Sequence, residues 1–189
     1  MRLSNTPLGR LLLAALLSLA PPAVLAEPLV GVEEAHAELE GGVWLLDADL
    51  HLVPSKTMRQ AVDNGARLEL RLAIEVYQER GWWPDSAVAE LTQRYTLRYH
   101  PLTRRVVTTA HNSGIRRSYA DLEDALRALG RLQRLPLLDH ALLADCDPCY
   151  GRLRVQLGVA SVPLLLQPVH WFTDHWRIES PWYHWPIGT

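Results

Sequence analysis

The sequence predicts a mainly β fold, an antiparallel β-sandwich of immunoglobulin-like proportions with two short helices covering an edge or an end. In several segments apolar residues recur at every second position, as along Leu68, Leu70, Leu72, Ile74 and Val76, which is the period of a strand with one dry face. The segments follow one another through short turns, too short for the crossover that parallel pairing requires. Only two stretches change to helical spacing.

Taken in order, Ala35 to Leu39 and the alternating Trp44, Leu46, Ala48, Leu50 and Leu52 flank Glu40-Gly41-Gly42, an opening hairpin. Met58, Ala61 and Val62 then share a helical face, with Ser55 able to cap the start and Asn64-Gly65 supplying a left-handed stop. The strand Leu68 to Val76 carries Arg67, Glu69, Arg71, Ala73 and Glu75 on its other face. A connection from Glu79 to Ser86 leads to a strand with Leu91, Gln93, Tyr95, Leu97 and Tyr99 facing one way and Thr92, Arg94, Thr96 and Arg98 the other. Pro101-Leu102-Thr103 turns the chain into Arg104 to Ala110, whose β-branched residues complete a three-stranded meander.

Ser118-Tyr119-Ala120-Asp121 matches a capping box, Leu122, Ala125, Leu126 and Leu129 form an apolar helical face, and Gly130 ends it. Leu132 to Leu138 returns to a strand, and Leu153, Val155 and Leu157 alternate with Arg152, Arg154 and Gln156 in another. Trp176, Ile178, Ser180 and Trp182 share one face of a last strand, for an expected seven to eight strands and two helices.

Met1 to Arg10 carries two arginines and no acid, Leu11 to Ala20 is apolar apart from Ser18, and Val24-Leu25-Ala26 offers small residues for cleavage. Residues 1–26 therefore read as a signal peptide, and 27–189 as a single β-sandwich domain of 189 − 26 = 163 residues. Pro21-Pro22 interrupts the apolar run well short of the ~20 residues that span a bilayer. Val162 to Phe172 is also short and contains Pro163, Pro168 and His170. The expectation is a periplasmic protein with no membrane span after signal cleavage. The 19 Lys and Arg fall to 17 without Arg2 and Arg10, against 21 Asp and Glu, so the mature charge is near −4. Such a balance argues against nucleic acid as a partner, and an apolar content of 48% excludes disorder.

Cys146-Asp147-Pro148-Cys149 can close a disulfide, and its spacing is also that of thioredoxin-like redox motifs. Those motifs begin at a helix start, whereas here an alternating strand follows, and the acids of Asp139 to Asp145 would raise a nearby thiol pKa. A structural disulfide is the leading reading, and thiol-disulfide exchange or a free or metal-associated pair remain alternatives. The second CxxC that a zinc site would use is absent from the sequence. Asp47, Asp49 and His51 share a strand face and could contribute to a metal site, but a solvated face is the simpler reading. None of the eight histidines forms a metalloprotease motif, and neither Ser113 nor Ser161 sits in a nucleophile elbow. No cofactor is expected and no catalytic residue is assigned.

Seven tryptophans accompany a single Phe. Trp44, Trp176 and Trp182 fall on apolar strand faces and read as core. Trp82 and Trp83 lie in a loop beside Asp85, where neighbours point to opposite sides. With Trp171 and Trp185 they could form an aromatic platform for glycan, peptide or protein. The alternative is that the loop folds back and both rings cap the end of the sandwich.

The run Arg80-Gly81-Trp82-Trp83-Pro84-Asp85 and the run Arg94-Tyr95-Thr96-Leu97-Arg98-Tyr99-His100-Pro101-Leu102-Thr103 resemble a proteobacterial family, domain of unknown function 4390. Leu46-Asp47-Ala48-Asp49, Ala61 to Leu68, the Ser118 to Gly130 helix and the Trp176 to Trp182 end extend the resemblance over nearly all of the mature chain. It implies an exported bacterial protein without assigned activity and brings no catalytic residues. The Cys146 and Cys149 pair stands outside the shared motifs. The expected function is a noncatalytic envelope domain that binds a protein or a cell-wall component through Trp82, Trp83 and Asp85. The alternative is a thiol-disulfide oxidoreductase using Cys146 and Cys149.

Overall fold

Gly41 and Gly42 both take positive φ, 58° and 83°, which lets the chain reverse within two residues between β1 (Val30–Glu40) and β2 (Val43–Leu52). The structure is a computed structural model that describes residues 29–161 and 177–188. The expected signal over 1–26, the apolar stretch 162–172, Trp171 and Trp176 lie outside them. After β2, Ser55 caps α1 (Lys56–Asp63) by accepting the Met58 N–H at 3.2 Å. The left-handed stop is Gly65 alone, at φ 87°, since Asn64 has φ −84°.

The next four strands run in sequence: β3 (Arg67–Gln78), β4 (Ser86–His100), β5 (Arg105–Ala110) and β6 (Arg116–Tyr119). The first three are the expected meander, and β6 is an addition to it. β6 overturns the capping box at Ser118. That residue lies within the strand, where its hydroxyl accepts from Arg105 Nε at 2.8 Å. The cap of α2 (Leu122–Leu129) is Asp121, which accepts the Asp124 N–H at 2.8 Å.

Gly130 follows α2 at φ −70°, so its missing side chain serves proximity and not handedness. A Cβ there would lie 2.7 Å from the Leu50 carbonyl oxygen. The close approach also lets Leu50 N–H donate to the Gly130 carbonyl at 2.7 Å, bringing β7 (Arg131–Asp139) alongside β2. A 3₁₀ turn (His140–Leu143) leads to β8 (Cys149–Ser161), followed by β9 (Arg177–Glu179) and β10 (Tyr183–Ile187). The last strand expected across Trp176 to Trp182 is thus two short strands separated by Ser180, Pro181 and Trp182. Proline at 181 has no N–H to continue a ladder.

All pairings among the described strands are antiparallel. Three strands form one sheet, in the order β1-β2-β7. Seven form the other, in the order β10-β8-β3-β4-β5-β6 with β9 also on β8. The sheets do not close into a barrel, and the arrangement is that of a lopsided sandwich. Trp44, Leu46, Ala48 and Leu50 of the small sheet share one core with Leu68, Leu70, Leu72, Ile74, Leu153, Val155 and Leu157 of the large one. Met58 and Val62 of α1, and Leu122, Ala125 and Leu126 of α2, are buried in the same core. Burying each large aliphatic side chain is worth roughly 1.5–3 kcal/mol, so the paired alternation along β3 and β8 contributes substantially to stability.

Candidate functional site

β3 and β4 are joined at one end of the large sheet by Glu79–Asp85, the loop that carries both adjacent tryptophans. Their rings are not folded back over the sandwich: Trp82 is 98% exposed and Trp83 76%. Asp85 does not present a free carboxylate beside them. Its Oδ1 accepts the Arg80 N–H at 3.1 Å, closing the loop on itself, and its Oδ2 accepts the Tyr150 hydroxyl at 2.8 Å. Trp83 N–H donates to the Arg80 carbonyl at 3.3 Å, and Glu79 N–H donates to the Pro148 carbonyl at 3.1 Å. The loop is therefore tied both internally and to the start of β8. The Tyr150 hydroxyl, and after it the Arg80 N–H, hold the Asp85 carboxyl below its usual range. Burial, followed by the hydrogen bond to Asp85, pushes the Tyr150 phenol up.

Cys146 and Cys149 are joined by a disulfide with their Cα atoms 5.6 Å apart, within the usual span of such a link. Cys146 follows the 3₁₀ turn, its N–H donating to the Leu143 carbonyl at 3.0 Å, and Cys149 opens β8 as a buried residue opposite Gln78. Gln78 Nε2 donates to the Asp145 carbonyl at 3.1 Å. The bonded pair thus fixes the turn on which the aromatic loop rests. It does not occupy a helix start, where a macrodipole would favour a thiolate.

Beneath the loop, residues outside the candidate set pack on the outer face of the large sheet. Tyr77 stacks on Tyr150 at 5.8 Å with an interplanar angle of 15°, and His184 lies against Tyr150 at 5.8 Å. The Arg152 guanidinium sits 4.4 Å from the ring centres of both Tyr77 and Trp182, and Arg154 is 4.4 Å from Trp182. Glu75 accepts from Arg152 Nε at 2.7 Å, and Glu179 pairs with Arg154 at 2.5 Å. Burial lowers the Arg152 pKa, but Glu75 outweighs it and the net shift is upward. Every charge in this array has a partner, so the array acts as a brace under the loop. The outward alternation of Arg152 and Arg154 was its one trace in the sequence.

Two tryptophan assignments are corrected. Trp182, expected in the core, is a half-buried ring on the outer face between two arginines, because the break at Pro181 removes it from the alternation. Trp185, expected in an exposed platform, is only 4% exposed. Its indole covers Gly151 so closely that a Cβ there would meet it at 2.3 Å. Trp44 is core as expected.

Asp47, Asp49 and His51 share the outer face of β2, but their polar atoms do not converge. Asp47 Oδ1 accepts the Arg134 N–H at 3.1 Å, and His51 Nδ1 lies 3.5 Å from Glu33 Oε1. Among the described residues no group of three His, Cys, Asp or Glu side chains is placed to hold a metal ion. None of the described helices is long and apolar enough to cross a membrane.

Neither the curated proteins nor the solved structures contain a match to the chain. A family model does match, described as a domain of unknown function, DUF4390, over residues 28–186. That span runs from just before β1 into β10, and the chain belongs to this family.

Proposed function

We propose that the protein is an exported, noncatalytic domain of the cell envelope that binds a protein or cell-wall partner through the loop end bearing Trp82 and Trp83. One observation carries this reading: two adjacent indoles stand 98% and 76% exposed on a loop that is hydrogen-bonded in place. An aromatic side chain buries about 150–250 Å² when covered. At ~25 cal/mol per Å² the pair offers several kcal/mol to a partner and contributes little to the fold. Locking the loop beforehand lowers the ordering cost of association, and Asp85 serves that end by holding the loop. Export would follow cleavage after Ala26, which places the disulfide in an oxidising compartment where such bonds persist.

The test is the double variant Trp82→Ala/Trp83→Ala. It should keep the wild-type circular dichroism and melting temperature while losing retention on purified cell wall, or losing its crosslinks to an envelope protein in intact cells. A folded variant that binds as wild type does would overturn this surface. Sequencing the N-terminus of protein from the periplasmic fraction checks export independently, with Glu27 expected as the first residue.

A further inference from the structure

Leu91 to Ala120, thirty consecutive residues, contain six arginines, two histidines and no Asp or Glu, in a chain whose acids outnumber its Lys and Arg by 21 to 19. The meander gathers much of that charge on the outer face of the large sheet, at the opposite end of β3 and β4 from the aromatic loop. Arg67 of β3 lies directly opposite Arg98 of β4, and Arg116 of β6 lies opposite Thr109 of β5. With Thr96 they line a depression of about 270 Å³. His100 and His111 also line it, and His111 is fixed by a 2.5 Å hydrogen bond between its Nε2 and the Thr96 hydroxyl.

Six arginines elsewhere on this protein have carboxylate partners, among them Arg71 with Glu69, Arg127 with Asp124, Arg152 with Glu75 and Arg154 with Glu179. Among the described residues Arg67, Arg98 and Arg116 have no carboxylate within 4.0 Å. The neighbouring acid on this face, Glu69, lies opposite Thr96 and is engaged by Arg71 at 3.1 Å. Like charges directly across a ladder destabilise a sheet, so the Arg67 and Arg98 pairing is a cost that a bound anion would relieve.

We infer that this depression is a binding site for a phosphate-class oxyanion. Guanidinium groups present rigid forks of N–H donors suited to such anions. Here they converge from three different strands, which matches a tetrahedral group with oxygens on several sides better than a planar carboxylate with two. Thr96 and Thr109 line the same depression and add hydroxyl groups to it. Leu102, fully exposed at the turn between β4 and β5, provides an apolar contact that a lipid-borne phosphate would use and a free one would not.

The experiment titrates the mature protein with inorganic phosphate by calorimetry. It also tests flotation with phosphatidylcholine vesicles, with and without phosphatidylglycerol. Phosphate affinity should fall about tenfold or more in Arg98→Gln, the scale of one lost charged hydrogen bond, and be unchanged in Arg127→Gln and in Trp82→Ala/Trp83→Ala. Flotation that requires phosphatidylglycerol and is lost in Arg98→Gln supports the site with a lipid headgroup as its source; Leu102→Ser then weakens flotation and not phosphate binding. No binding of either probe, binding that survives both Arg98→Gln and Arg116→Gln, or displacement of phosphate by equimolar acetate would overturn it.

Discussion

The two ends of the β3 and β4 hairpin handle their polar groups in opposite ways. At the loop end Asp85 is bonded by Tyr150 and Glu75 by Arg152, and the large apolar groups that stand in water are the rings of Trp82 and Trp83. At the other end, Leu102 at the turn apart, what faces water is charge that the described residues leave unbalanced, Arg67 beside Arg98 with Arg116 nearby. Both are unfavourable surfaces for an isolated molecule, one by exposing hydrocarbon and the other by repulsion. Between them the like-charge neighbours Arg71 and Arg94, and Glu75 and Glu90, are each relieved by an opposite charge on one member, Glu69 on Arg71 and Arg152 on Glu75. Residues that stabilise the fold and residues that leave something to be gained by contact are therefore separated along a single pair of strands.

The largest effect should come from the middle, where the ends share support. Leu70→Ala in the fully buried part of β3 should cost about 2–5 kcal/mol in denaturant unfolding, and should weaken any activity of both ends together. Removing the disulfide should separate them. Cys146→Ser/Cys149→Ser should lose about 2 kcal/mol by the loop-entropy relation and raise hydrogen exchange in Glu79–Asp85 while leaving Arg94–Arg116 unchanged. Equal loosening of both ends would contradict the division. Arg98→Gln should act in the reverse sense, stabilising the ligand-free protein by ~0.2–1 kcal/mol. Because the repulsion is exposed, that gain should fade in high salt, which melting curves over a salt series would read.

The smallest effect is local to the loop and depends on pH. Asp85 has a folded pKa lowered from 3.8, so its ionised form is favoured in the folded state. Its contribution is complete above pH 3.8 and is lost as pH falls from there through the lower folded value. Exchange protection of the Arg80 N–H should therefore disappear in that acid window. In Asp85→Asn the pH dependence of this protection should be absent.

Alternation made the sheets legible. Leu68 to Val76, Leu91 to Tyr99 and Leu153 to Leu157 lie on the faces their periods indicate, because a one-residue slip would turn each apolar set into water. Arg116–Tyr119 escaped because four residues with three exposed positions have no dry face to betray a strand. Trp182 and Trp185 changed places because alternation cannot be carried across a proline break. The aromatic loop was visible as a motif, but the partners of Asp85 were not: Tyr150 lies 65 residues away and meets it only through the pairing of β3 with β8. The basic depression could have been suspected from the acid-free run, yet Arg67 joins it only through register, which linear spacing does not encode.

β3 is laddered to β4 on one side and β8 on the other over nearly its whole length, and a strand held from both flanks has no freedom to bow or hinge. Eleven steps from Arg67 to Gln78, at ~3.3 Å each, make it a strut of roughly 36 Å. Two bodies touching its tips would be kept at a set distance, each free of steric interference from the other, so occupancy at one tip should leave affinity at the other unaltered.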